Sequence, residues 1–222
     1  MTRPKALLSW SSGKDAAWAL HRLREAGEVE VVGLLSTTNE AFGRVAMHGV
    51  REALLEAQAE AVGLPLWKVP LPWPCANGTY EAIMARVCAE ATGRGVEAMA
   101  FGDLFLEDVR DYRIRNLAGT GLEPLFPIWN PDTAGLARDM VAAGLQATLV
   151  CVDPRVLPAS FAGRAFDAAL LGDLPPAVDP CGERGEFHTF AWDGPMFSHP
   201  VALARGEVVT RDGFVFADLV PA

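Results

Sequence analysis

The stretch Ser9-Trp10-Ser11-Ser12-Gly13-Lys14-Asp15-Ala16 decides the fold. It closes a short apolar run, Ala6–Trp10, and opens an Ala- and Leu-rich segment that Gly27 ends. The run reads as a buried strand, and the segment reads as a helix with a glycine cap. A loop of small residues between strand and helix aims backbone N–H groups and the positive end of the helix dipole at one spot. Lys14 adds a positive charge there. Ser9, Ser11, Ser12, Gly13, Lys14, Asp15 and Ala16 are therefore candidate phosphate ligands. Leu8 stands where a Walker A loop needs Gly, and Asp15 where it needs Ser or Thr. The G-x-G-x-x-G dinucleotide fingerprint is absent. The plain alternative is a tight strand–helix turn with Asp15 as helix cap.

Outward from the loop, strand and helix patterns alternate. Val29–Thr37 is a continuous β-branched run, as in a strand buried on both faces. Val50, Leu54, Ala57 and Ala61 recur at helical spacing and Gly63 closes that helix; Leu66–Pro70 is a third strand. Tyr80, Met84, Val87 and Ala91 form a helical stripe, then Ala98–Phe101 is a fourth strand ending at Gly102-Asp103. Leu106–Leu117 reads as helix and Leu122–Pro127 as extended. Such alternation predicts a Rossmann-like α/β parallel sheet with helices on both faces. Ligands of such sheets sit beyond the strands' carboxyl ends. Ser36, Thr37 and Thr38 are thus candidates for an adenine site, and Gly102 and Asp103 for the reacting end. Beyond residue 128 come a helix at Thr133–Ala143, a strand at Ala147–Val152, and a Pro- and Gly-rich tract. Val201–Leu219 alternates like antiparallel strands around Arg211-Asp212-Gly213. Residues 1–128 are expected to form the nucleotide domain, and 129–222 a smaller α+β region packed on it without a linker.

The net charge of -9 argues against nucleic acid, which needs a basic surface. No two of Cys75, Cys88, Cys151 and Cys181 are spaced C-x-x-C, which argues against a zinc ribbon or dithiol pair. Neither a signal peptide nor an apolar run long enough to span a bilayer is evident, so the expected setting is cytoplasmic, with no membrane partner. The oligomeric state, a homodimer included, is left open.

A second dense stretch is Asp179-Pro180-Cys181-Gly182-Glu183-Arg184-Gly185-Glu186-Phe187-His188-Thr189-Phe190. Its glycines let the backbone turn tightly and present side chains. Glu183, Glu186 and His188 are candidate catalytic groups, able to orient ammonia or accept protons. The plain alternative is a solvated loop with His188 on its outer face.

Two resemblances join these pieces. Ser11–Ala16 resembles the S-G-G-x-D-S loop of the PP-loop ATPases, which split ATP between the α and β phosphates. Ser12 replaces the first Gly and Ala16 the final Ser. The stretch from Gly182 through Asp193-Gly194-Pro195 is similar to the G-E-x-G-E-F-x-T-x-x-x-D-G-P motif of the diphthine–ammonia ligase family. Met47-His48-Gly49-Val50-Arg51, Gln58-Ala59, Gly63-Leu64-Pro65-Leu66, Phe101-Gly102-Asp103 and Gly121-Leu122-Glu123-Pro124 also look like that family. The resemblance implies adenylation of a carboxylate by ATP with Mg2+, then attack by ammonia. It implies Lys14 and Asp103 as catalytic residues beside Glu183, Glu186 and His188. Mg2+ prefers carboxylates and phosphate oxygens, so Asp15 or Asp103 is expected to hold it, and His48 and Arg51 are candidates for a nucleotide or substrate role, with capping of a helix start as the plain alternative. A sulfur-transfer PP-loop enzyme and a non-catalytic adenine-nucleotide-binding protein are the competing readings.

Overall fold

A computed structural model describes residues 2–45, 49–129 and 132–222. His48, a candidate nucleotide ligand, lies outside the described residues. Strand β1 (Lys5–Ser9) buries Ala6, Leu7 and Leu8 completely and feeds the loop at 10–13. Helix α1 (Lys14–Ala26) starts directly after Gly13 and ends on Gly27, whose left-handed φ of 63° lets its N–H reach the Leu23 carbonyl.

The chain continues through β2 (Glu30–Asn39), a two-residue β3 (Arg44–Val45), α2 (Glu52–Val62), β4 (Leu66–Leu71), α3 (Asn77–Gly93), β5 (Ala98–Ala100), α4 (Glu107–Leu117) and β6 (Glu123–Leu125). Strands β2 and β5 flank β1 in parallel; β4 pairs parallel with β2, and β6 with β5. Strand β3 turns back antiparallel on the end of β2. The chain thus winds outward from β1 to β4, then crosses through α3 to the far side of β1. The direction of winding reverses between β1 and β5, where doubly wound sheets bind ligands. Leu8 belongs to a core shared with α1 and α2, whereas Leu7 belongs to one shared with α3 and α4. Successive residues of β1 therefore face opposite helix layers, the expected α/β arrangement.

The rest of the chain builds a second, antiparallel sheet. It comprises α5 (Thr133–Ala142), β7 (Gln146–Val152), a 3-10 turn at Ala159–Phe161, α6 (Ala168–Asp173), β8 (Phe187–Asp193), β9 (Leu203–Arg211) and β10 (Phe214–Pro221). The strand order is β8-β7-β10-β9. Asp212 and Gly213 carry φ of 51° and 83°, so both central residues of the β9–β10 turn are left-handed, as a tight hairpin requires. Leu149, Val152, Val215 and Leu219 of this sheet belong to the same core as Leu8, Trp10 and the buried faces of α1 and α2. Among the described residues, no helix is long and apolar enough to cross a membrane.

A candidate nucleotide and carboxylate site

The loop after β1 is held from several sides. Ser12 adopts a left-handed φ of 70° and is fully buried. Its carbonyl accepts from the Ala191 N–H at 2.9 Å and from Gln58 Nε2 at 2.9 Å. Trp10 Nε1 donates to Gln58 Oε1 at 2.9 Å. The Lys14 N–H donates to Thr189 Oγ1 at 3.0 Å. The outer edge of β8 is therefore sealed by the loop itself.

The Lys14 side chain points into the seam between the loop at 10–13 and the loop at 179–186. Its ammonium is buried, donates to both Asp15 oxygens at 3.0 and 2.8 Å and to the Cys181 carbonyl, and lies 5.5 Å from the ring centres of both Phe166 and Phe187. Burial disfavours the charge, but Asp15, with Cys181 and Glu183, outweighs it and leaves the Lys14 pKa raised. Burial likewise lifts the Asp15 carboxyl, against the pull of Lys14.

The loop at 179–186 lies against the end of β5. Glu183 Oε1 accepts from the Leu104 N–H at 2.8 Å. Burial pushes the Glu183 carboxyl up to about 7, helped by the Asp15 charge. Glu186 is buried and points into its own loop: its oxygens accept from the Asp179 N–H at 2.9 Å and the Arg184 N–H at 3.0 Å. Asp179 accepts from Thr133 Oγ1 and, at 2.8 Å, from the Glu183 N–H. This web explains why one short loop contains so many acids. Burial, aided by Lys14, pushes the His188 imidazole down to about 4, so it is neutral at neutral pH. Gly102 brings β5 so close that an added Cβ would meet the Ala16 nitrogen and Asp15 carbonyl carbon at 3.0 Å. Asp103 accepts from Arg113 Nε at 3.3 Å.

Beyond the carboxyl ends of β1, β2 and β5 opens a cavity of about 730 Å3, running between the sheet and α3. Ser9, Ser11 and Thr37 line it. Ser36 and Thr38 are buried on the opposite face of β2, so of the three expected adenine neighbours Thr37 alone meets the cavity. Arg51, expected at the nucleotide, instead pairs with Asp218 of β10 at 2.5 Å. Among the described residues no group of three His, Cys, Asp or Glu side chains could hold a metal. Asp15 and Asp103, the expected Mg2+ ligands, are each engaged by a cation. Arg113 lines the cavity without any sequence signal that marked it. Gln58 and Thr189 stood inside family-like stretches, but nothing local announced that they tie the two halves together.

Residues 4–120 match the family model described as diphthamide synthase N-terminal domain, and residues 132–215 match the diphthamide synthase C-terminal domain. The chain belongs to the diphthamide synthase family. A curated relative from Bos taurus, diphthine–ammonia ligase, is 25% identical across 93% of this chain and 85% of its own length. The diphthine–ammonia ligase of Schizosaccharomyces pombe is 32% identical across 90% of this chain but 36% of its own length. Among solved structures, the U34-tRNA thiolase NcsA from Methanococcus maripaludis with its 4Fe-4S cluster aligns with a TM-score of 0.41 at 12% identity. It covers 63% of this chain and 57% of that one. In diphthamide synthase terms, the two matched domains meet between 120 and 132, and the tie from Lys14 to Cys181 joins one to the other.

Proposed function

We propose that the chain is an ATP-dependent ligase that forms AMP, activates a carboxylate and passes it to ammonia, the activity its relatives' names describe. The observation that carries this reading is the junction of the loop at 11–16 with the loop at 179–186, at the sheet's reversal point. ATP supplies an activated phosphorus centre and a pyrophosphate leaving group. The cavity fits it: a volume of about 730 Å3 falls in the range of small-ligand sites. In this reading Ser9 and Ser11 on the cavity wall, the Ser12–Gly13 backbone and the amides of Asp15 and Ala16 hold the phosphates, since the Lys14 N–H is taken by Thr189, with Thr37 beside the adenosine. Asp15 or Asp103 would hold Mg2+, directly or through water, and the ion would supply charge neutralisation at the phosphates.

Each protein group then has a defined task. Glu183, half ionised near neutrality, accepts the proton that ammonium must lose before nucleophilic attack. Glu186 holds the backbone that presents Glu183. Neutral His188 sits on β8 as a hydrogen-bonding wall. Lys14 fixes the loop at 179–186 against the phosphate loop through the Cys181 carbonyl. Sulfur transfer is disfavoured because Cys88, Cys151 and Cys181 are buried, and burial lifts the Cys151 thiol to about 12.

Gly13→Val tests the reading. Gly13 is buried, with φ of -85° and ψ of 172°, a backbone conformation that a β-branched residue adopts, and a thermal melt establishes that the variant folds before its affinity is read. Its side chain would stand where phosphate oxygens approach the backbone, so ATP affinity by calorimetry is expected to fall about 100-fold, near 2.7 kcal/mol. A folded variant with unchanged ATP affinity overturns the assignment. So does release of ADP in place of AMP and pyrophosphate when the wild type is fed ATP and cell extract.

A further inference from the structure

Helices α3 and α4 supply more of the cavity wall than the loop at 11–16 does, and two of their residues are arginines, Arg113 and Arg115. Arg113, on the second turn of α4, lines the cavity together with Tyr80, Met84, Cys88, Phe101 and Leu117. Its guanidinium is laid over the Phe101 ring at 4.9 Å. A carboxylate already rests on it: Asp103 Oδ2, at a long 3.3 Å from Nε. A guanidinium offers five N–H donors in a planar fork. Asp103 takes Nε and leaves the rest of that fork for a ligand. Arginine is suited to this position because its charge is weakly hydrated, stacks on aromatic faces and matches a carboxylate bidentately.

We propose that the α3–α4 side of the cavity is the acceptor site, where Arg113 binds the acceptor's carboxylate and Met84, Cys88, Phe101 and Leu117 receive an apolar arm that carries it. This rests on the ligase reading above. The position fits the chemistry. Asp103 follows Gly102, whose backbone abuts Asp15 and Ala16, so a carboxylate on Arg113 sits in the same cavity as Ser9 and Ser11. The apolar surroundings favour a carboxylate on a hydrocarbon arm over a phosphate group. The phosphates have the loop amides as their own donors.

Hexanoate is the probe and hexanamide its neutral control, with calorimetry on the whole chain without ATP. The wild type is expected to bind hexanoate in the millimolar range and hexanamide at least about tenfold more weakly. Arg113→Gln should erase that preference and leave ATP affinity within about twofold. Arg113→Lys, which keeps the charge but not the fork, should retain part of the preference. Asp103→Asn removes the resident carboxylate and should tighten hexanoate, a change of sign that a packing role for Arg113 would not produce. Equal binding of hexanoate and hexanamide to the wild type overturns the proposal. So does a tenfold loss of ATP affinity in Arg113→Gln, which would assign the guanidinium to the phosphates. If Arg113→Gln does not fold, Arg113→Lys and Asp103→Asn still decide, because they must move hexanoate affinity in opposite directions. A chain that prefers hexanoate but releases no AMP would sink the ligase reading and leave the Arg113 site standing.

Discussion

Ser12 shows how much a single residue can store. Its φ of 70° is a conformation that costs a non-glycine residue about 1–2 kcal/mol. Its hydroxyl is buried and has no hydrogen-bond partner among the described residues, which adds a desolvation cost. The PP-loop motif has Gly at this position, and the backbone geometry supplies the reason: only Gly enters the left-handed region freely. Ser12→Gly is therefore expected to stabilise the protein by about 1–2 kcal/mol. A higher urea midpoint with an unchanged slope would establish it. A lower midpoint would mean that the hydroxyl has a partner that outweighs the strain.

At the scale of elements, β8 and the loop before it place two groups with opposite pH linkage side by side. Glu183 has its pKa raised to about 7 by burial, above the value of an unfolded glutamate. The folded state then binds more protons, so stability contributed by this group falls as pH rises from about 4.5 to 7. His188 is pushed down to about 4, below its unfolded value. There the unfolded state binds more protons, so stability is full above about 6.5 and is lost as pH falls toward 4. Between about pH 4.5 and 6.5 the two slopes oppose each other. Glu183→Gln is expected to leave a stability that climbs with pH across that window. His188→Gln is expected to leave one that declines. Urea midpoints at intervals of half a pH unit (an order-of-magnitude spacing that resolves ~1 unit shifts) would show both; parallel wild-type and variant curves would refute the assignment. The same two elements mark what sequence could tell. The alternation of apolar runs and glycine-ended helices made the parallel sheet legible, because burial on both faces leaves continuous β-branched runs. The motif at 179–190 drew attention to the right loop. It could not reveal that Glu186 turns inward to serve backbone amides while Glu183 reaches Leu104, since both are acids on one short loop. Strand β3 escaped notice because two residues have no period. Arg113 escaped because one arginine on a charged helix looks solvated until Phe101 and Asp103 are placed beneath and beside it.

In the whole molecule the two sheets share the larger of two cores, and the smaller lies between the parallel sheet and α3 and α4. The faces of α1 and α2 that leave the parallel sheet are covered by the antiparallel one, through Leu149, Val152, Phe190, Val215 and Leu219. Polar ties reinforce the same boundary: Asp218 takes Arg44 at 2.9 Å and Arg51 at 2.5 Å, and Arg24 donates to the carbonyls of Met196 and Val62 at 2.9 and 2.6 Å. The phosphate loop itself is a boundary element, since its Ser12 carbonyl and Lys14 N–H are satisfied by β8. Cutting the chain at 128 would leave that carbonyl and N–H short of partners and expose the apolar outer faces of α1 and α2. Buried ammonium and carboxylate at Lys14 and Asp15 would also lose the Cys181 carbonyl and the two aromatic rings. The fragment 1–128 is therefore expected to give no cooperative urea transition and no measurable ATP binding. The intact chain is expected to unfold in one step, with tryptophan fluorescence and far-ultraviolet circular dichroism superimposing. Trp10 and Trp18 report on the first sheet's side of the core and Trp192 on the second. A fragment that folds cooperatively and binds ATP as tightly as the whole chain would show that the antiparallel sheet is an accessory to the nucleotide site and not a wall of it.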